Sequence, residues 1–259
     1  MKIREIITYI ESIVPLSYQE DYDNSGLIIG DRNAEVRKVL IALDVTEKVI
    51  DEAIDGKFEL IISHHPIVFS GLKKITGKNF VERIVIKAIK NNIAIYSAHT
   101  NLDHFHNGVN AKLCQKIGLI NCKILSPKSD ILRKLVTFCP IDKANEVRKA
   151  IFEAGAGQIG NYDSCSFNIE GKGTFRANNE ANPYVGEQNK LHSEDEERIE
   201  TIYSINSEAK ILSALFKSHP YEEVAYDIYQ LKNKLNNVGS GMIGELKRAE
   251  DEIVFFKKN

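Results

Sequence analysis

The chain has 259 residues, 43% hydrophobic and 27% charged, which is enough apolar material for a core at an ordinary charge density. A formal charge of −2 with scattered lysines excludes the basic block of a nucleic-acid or anionic-membrane surface, and apolar runs such as 58–62 or 211–216 are too short to span a bilayer. Cys114, Cys122, Cys139 and Cys165 show no Cys-x-x-Cys pairing, and the N-terminus mixes charge into its apolar positions, so a cytoplasmic globular protein with free thiols is expected.

Ile3, Ile6, Ile7, Ile10, Ile13 and Val14 recur at helical spacing. Pro15 ends that helix, because it has no N–H and restricts the residue before it. YDNSGLIIGD (22–31) is turn chemistry around a short apolar run. An alternation follows. VLIAL (39–43) predicts a buried strand that runs into Asp44, and Thr46 is placed to cap a helix carrying Val49, Ile50, Ala53 and Ile54. FELII (58–62) predicts a second strand, closed by Ser63, His64 and His65, and Val81, Ile84, Val85, Ala88 and Ile89 mark the next helix. IAIYSA (93–98) predicts a third strand, followed by His99 and Asp103, then a helix over about 107–117. Strands apolar on both faces, joined by helices, predict an α/β domain with a mostly parallel sheet and right-handed crossovers. Such sheets bind ligands outside the carboxyl ends of their strands, where Asp44, His64, His65, His99 and Asp103 all fall.

Around 125–133 the character changes, and SPKSDILRK is polar and turn-like. KLVTFCP (134–140) predicts a short strand. Residues 141–157 predict a helix with Val147, Ile151 and Ala154 inward, closed by Gly155 and Gly157. CSFNIEGKGTFR (165–176) reads as strand and turn, 177–196 as a long polar loop or arm, and ERIETIYSI (197–205) alternates. SEAKILSALFKSH (207–219) is helical, and EVAYDIYQL (223–231) alternates again. The β-α-β-β-α-β order describes a ferredoxin-like α+β unit. The expected domains are 1–129 as the first part of the α/β domain, 130–233 as an insert, and 234–259 as a return to the first domain. In that return, GSGMIG (239–244) offers either backbone N–H groups to a phosphate or a tight turn. Without the Lys-Ser/Thr of a phosphate loop, the turn is expected, with a last strand after it.

Strand neighbours point to opposite faces, so the adjacent imidazoles of His64 and His65 serve one locus only where a strand ends. Pro66 biases His65 to an extended backbone, which splays the rings. Two readings fit. The rings hold metal, their splay suiting two ions better than one, or one ring caps a core hydrogen bond while the other is solvated. Asp103 supplies an oxygen ligand or caps a helix. Two imidazoles and a carboxylate suit zinc, iron or manganese better than calcium. His99 is a ligand or a support for one, and Asp44 orients a ligand or caps the next helix. His104 and His106 alternate along a turn expected to face solvent. No Gly-x-Ser-x-Gly elbow occurs and no cysteine has a His at recognisable spacing, which argues against covalent nucleophilic catalysis.

DNSGLIIGD (23–31), LIALDVTEKVIDEAI (40–54), IISHHPIVFSGLKKI (61–75) and SAHTNLD (97–103) resemble successive blocks of the NIF-three-like dinuclear-metal family, which includes GTP cyclohydrolase 1 type 2 homologs. GKGTFRANNEANPYVGE (171–187), DEERIET (195–201) and HPYEEVAYDIYQL (219–231) resemble the CutA-like or P-II-like domain that bacterial members carry as an insert. VGSGMIGEL (238–246) resembles the return block. The resemblance covers almost the whole chain, with its motifs in order. It implies a pair of divalent metal ions (zinc, iron or manganese) held by His64, His65 and Asp103, with His99 in support. It also implies self-assembly into a hexameric ring and a metal-dependent hydrolase with a nucleotide substrate, opening the guanine imidazole ring of GTP with loss of formate. A non-catalytic metal-binding scaffold or adaptor, assembled as a ring, is the alternative. No membrane and no nucleic-acid partner is expected. The family pattern continues past the return block into a segment with a second His and a Glu, whereas the last histidine here is His219, so a fragment of a longer protein is expected.

Overall fold

Short strands rich in β-branched residues build the first sheet of the computed structural model, which describes residues 1–258. Residues 1–128 together with the chain from 236 onward form one compact unit, and residues 129–235 form another. No helix among the described residues is long and apolar enough to cross a membrane.

In the first unit, α1 (Ile3–Ile13) turns Ile3 and Ile7 inward and stops at Val14, before Pro15. The strands β1 (Gly26–Ile29), β2 (Val39–Ala42), β3 (Leu60–Ser63) and β4 (Ala94–Ser97) lie in the order β1-β4-β3-β2. β2, β3 and β4 are parallel and are joined through α2 (Glu47–Asp55) and α3 (Phe80–Lys90). β1 runs antiparallel to β4, so the sheet is mixed, and the run at 22–31 supplies its antiparallel edge. Successive residues of the central strands are buried on opposite faces. Ile61 and Ile95 pack with Ile50, Ile84 and Val85 on one face, while Leu60, Ala94 and Tyr96 pack with Ile3 and Ile7 on the other. Burial on both sides explains why these strands read as unbroken apolar runs.

Register decides what this sheet presents. Ala42 pairs with Ser63 and Ser63 with Ser97, so the carboxyl ends of β2, β3 and β4 are level. Gly26 pairs with Ser97, so the antiparallel β1 begins at that same edge. Beyond β4 come α4 (Thr100–His104), α5 (Val109–Lys116) and β5 (Leu119–Lys128). The turn-like reading of 125–133 is thereby corrected, because residues 125–128 are the end of a ten-residue strand.

The second unit contains β6 (Leu132–Pro140), α6 (Ile141–Glu153), β7 (Ser166–Arg176), β8 (Leu191–Ser204), α7 (Glu208–Ser218) and β9 (Tyr226–Gln230). Its antiparallel sheet has the order β7-β8-β6-β9. Both helices pack on one face, around Leu135, Val147, Ile151, Ile199, Ile211 and Leu215. β8 begins at Leu191, so the last residues of the polar stretch 177–196 belong to a strand.

The chain then forms β10 (Leu235–Leu246), which pairs with β5, and α8 (Glu252–Lys258). GSGMIG is therefore strand, and a helix follows where a last strand is predicted. Gly239 shows why the glycines are there. At φ 153°, a Cβ would lie 2.1 Å from the Ser126 carbonyl oxygen of the neighbouring strand.

Candidate metal centre

Level strand ends bring three histidines together. His64 and His65 follow β3, and His99 sits between β4 and α4. Their ring centroids are 4.9 Å (His64–His65), 5.3 Å (His64–His99) and 5.6 Å (His65–His99) apart. One ligand atom from each lies within 4.8 Å of the others. Every ring is fixed through its Nδ1. His64 contacts the Ala98 carbonyl at 2.8 Å, His65 the Asp44 carboxylate at 2.7 Å, and His99 the Asp23 carboxylate at 2.7 Å. Carbonyl and carboxylate oxygens only accept, so each Nδ1 carries the proton and each Nε2 keeps its lone pair. Three imidazoles, each backed by an oxygen, form a donor set that fits a divalent zinc, iron or manganese ion.

The splay expected from Pro66 is present as a 52° angle between the His64 and His65 rings. Asp103, in the short α4, lies at the flank, its Oδ1 3.6 Å from His64 Nε2. The structure thus gathers His64, His65 and His99, with Asp103 beside one member of the group.

Nothing in the residue pattern singles out Asp23, yet its side chain is completely buried against His99. It accepts hydrogen bonds from the Asn24 amide at 2.6 Å, the Ser25 hydroxyl at 2.9 Å, the Thr100 amide at 3.0 Å and the Thr100 hydroxyl. Burial pushes the Asp23 carboxyl up, but hydrogen bonds from Thr100, His99, Asn24 and Ser25 outweigh it and hold the group at about 2. The carboxylate therefore stays charged at neutral pH. The Asn24 side-chain amide donates to the Val68 carbonyl at 2.6 Å, which ties this turn to the segment after His65. The one signal available is the DNSG cluster ahead of a buried strand. It gains meaning only once β1 is paired with β4.

Thr46 caps α2, its hydroxyl accepting from the Val49 amide at 3.3 Å, which leaves Asp44 as the residue that orients His65. His104 does not face solvent as predicted. It is 4% exposed, with Nδ1 donating to the Tyr18 carbonyl at 2.6 Å and Nε2 lying 2.9 Å from the Ser240 hydroxyl and 3.2 Å from the Glu20 carboxylate. The Ser240 contact ties α4 to β10, a structural role. His106 is partly buried against the Phe105 ring, 4.6 Å away. Phe69 stands 6.3 Å from the His99 ring and 6.4 Å from Tyr22, so two exposed aromatic rings border the site.

The chain matches the family Duf34/NIF3 (NGG1p interacting factor 3) over residues 1–258. A Halalkalibacterium halodurans protein named GTP cyclohydrolase 1 type 2 homolog is 45% identical over 245 residues, covering 94% of this chain and 66% of that protein. A Bacillus subtilis protein of the same name is 41% identical over 245 residues, with the same coverage of 94% and 66%. Among solved structures, a Bacillus cereus protein related to NIF3 superposes with a TM-score of 0.82 at 44% identity, over 99% of this chain and 69% of the other. The chain spans about two thirds of the length of the curated relatives it matches. The family match over all described residues, together with these relatives, leads to one conclusion: this chain belongs to the Duf34/NIF3 family.

Proposed function

We propose that this chain binds a pair of divalent metal ions at the level strand ends and serves a metal-dependent hydrolase acting on a nucleotide, of the GTP cyclohydrolase type for which its relatives are named. The observation that carries the reading is the set of Nε2 lone pairs on His64, His65 and His99, each left free because Nδ1 is engaged by an oxygen. A divalent metal held there would supply Lewis-acid chemistry, activating water and polarising an electrophile. The side chains of the chain supply the rest. His64, His65 and His99 would hold the metal, Asp103 offers an oxygen donor beside His64, and Asp23 and Asp44 keep two of the rings oriented. The exposed rings of Phe69 and Tyr22 give a planar base a stacking surface next to His99.

The same reading takes residues 129–235 as a ferredoxin-like, CutA-like insert in the metal-binding domain. The β-α-β-β-α-β order and the strand order β7-β8-β6-β9 support it. It also takes copies of the protein to assemble as a hexameric ring, supported by the family resemblance.

Elemental analysis of purified protein tests the centre. The expected outcome is bound zinc, iron or manganese in the wild type, lost in His64→Ala/His65→Ala and in His99→Ala. Metal retained by both variants sinks the site. Formate release from GTP then tests the chemistry. Bound metal with GTP left intact favours the scaffold or adaptor instead. Light scattering that returns a monomer removes the ring.

A further inference from the structure

Two sequence blocks have no part in the metal centre, GKGTFRANNEANPYVGE and the HPYEE that opens the third block, and both line one cavity of about 590 Å³ in the second unit. That volume falls in the range of small-molecule sites. The cavity lies against the β7 and β8 strands. Gly171, Gly173 and Phe175 come from β7, Tyr184 from the loop after it, and Tyr221 from the segment after α7.

A buried acid marks this cavity. Glu196 of β8 is 8% exposed and pairs in register with Gly171. A Cβ on Gly173 would fall 2.1 Å from Glu196 Oε2, so glycine at 173 is what lets the carboxylate lie against β7. Among the described residues, the side chain's hydrogen-bond partner is the neutral Tyr221 hydroxyl, which donates to Oε1 at 2.8 Å. Burial, with the Glu196 carboxylate next to it, pushes the Tyr221 hydroxyl up, so it remains a donor. Neither of the two cations that line the cavity pairs with Glu196 among the described residues, although the buried Nε of Arg198 has no hydrogen-bond partner. Lys172 pairs with Asp195 at 2.6 Å, and Arg198 pairs with Glu200 at 2.8 Å and lies over the Phe138 ring. A carboxylate taken out of water with only a phenol for a partner calls for a positive charge. Aromatic rings surround that place, with Tyr221 6.2 Å from Phe175 and 6.3 Å from Tyr184. Ring faces carry the negative end of the aromatic quadrupole and attract cations.

We propose that this cavity binds an organic cation, its ammonium head seated against Glu196 among Phe175, Tyr184 and Tyr221 and its apolar body filling the remaining space. The site is separate from the metal reading and does not depend on it.

Isothermal titration calorimetry on the full 259-residue chain tests this, with phenethylamine and benzyltrimethylammonium as cationic probes and 2-phenylethanol as the neutral one. Both cations are expected to bind saturably and about tenfold or more tighter than 2-phenylethanol. Glu196→Gln keeps an acceptor for Tyr221 while removing the charge, so it should weaken both cations by about tenfold and leave 2-phenylethanol unchanged. Tyr184→Ala, at a half-exposed ring, should weaken the cations with the carboxylate intact, and it carries the test if the Glu196 variant fails to fold. Equal affinity for charged and neutral probes, no saturable heat from either cation, or cation binding untouched by Tyr184→Ala overturns the proposal.

Discussion

Asp23 is a buried carboxylate held charged by hydrogen bonds from Thr100, His99, Asn24 and Ser25. Asn at that position keeps the shape but can turn an NH2 toward His99, so the imidazole loses the partner that fixes its proton on Nδ1. Asp23→Asn is expected to weaken metal binding by about 10–100-fold in a chelator-competition titration. Unchanged affinity would remove His99 from the ligand set. His219 gives the pH dependence. Burial holds its imidazole below the ordinary 6.5, against the Phe138 carbonyl and Glu196, which both act to raise it. The folded ring stays neutral where the unfolded chain would take a proton, so its share of stability is complete above 6.5 and declines as pH falls below it. The thermal midpoint should therefore drop between about pH 7 and pH 5, and His219→Asn should flatten that drop. At this scale the sequence is legible where chemistry follows an apolar run directly, as for His64, His65 and His99. Asp23 and His104 are not legible, because their partners lie 76 residues away at His99 and 86 residues away at Tyr18.

The elements were legible to the extent that both faces of a strand or one stripe of a helix are buried. β3, β4 and the helices beside them announce themselves by apolar runs and helical spacing, whereas VLIAL, expected as a buried strand, forms the edge strand β2 with Ile41 and Leu43 exposed. β5 and β10 do not. Most residues of β5 are exposed or partly exposed and β10 is rich in glycine, so pairing between the two strands stabilises them and no alternating pattern reveals them. β1 hides for another reason, since its four residues sit inside turn chemistry. Gly30, just past it, has φ 112°, and a Cβ there would meet the Ala94 Cβ at 2.6 Å. Gly30→Ala should cost about 1–3 kcal/mol in urea unfolding, through overpacking and backbone strain. Because β1 carries the Asp23 turn to the site edge, the variant should also weaken metal binding.

On the scale of the whole molecule, each compact unit has its own core, and a change in one can be assigned to it. Ile199 is fully buried in the second unit, and Ile199→Ala should cost about 2–5 kcal/mol there, lowering one calorimetric transition. Added metal should raise only the transition of the first unit, since a ligand that binds the native form stabilises what it binds. A shift of both transitions by either perturbation would contradict this division. The three Nδ1 anchors have a consequence for biogenesis. Ala98 follows β4, Asp44 follows β2 and Asp23 precedes β1, while His64 and His65 themselves follow β3, so the ring orientations draw on every strand of one sheet. A chain with its sheet half assembled leaves at least one of the three rings without its anchor. The Nδ1 anchors of all three rings are thus in place together only in a chain whose four strands have found their order.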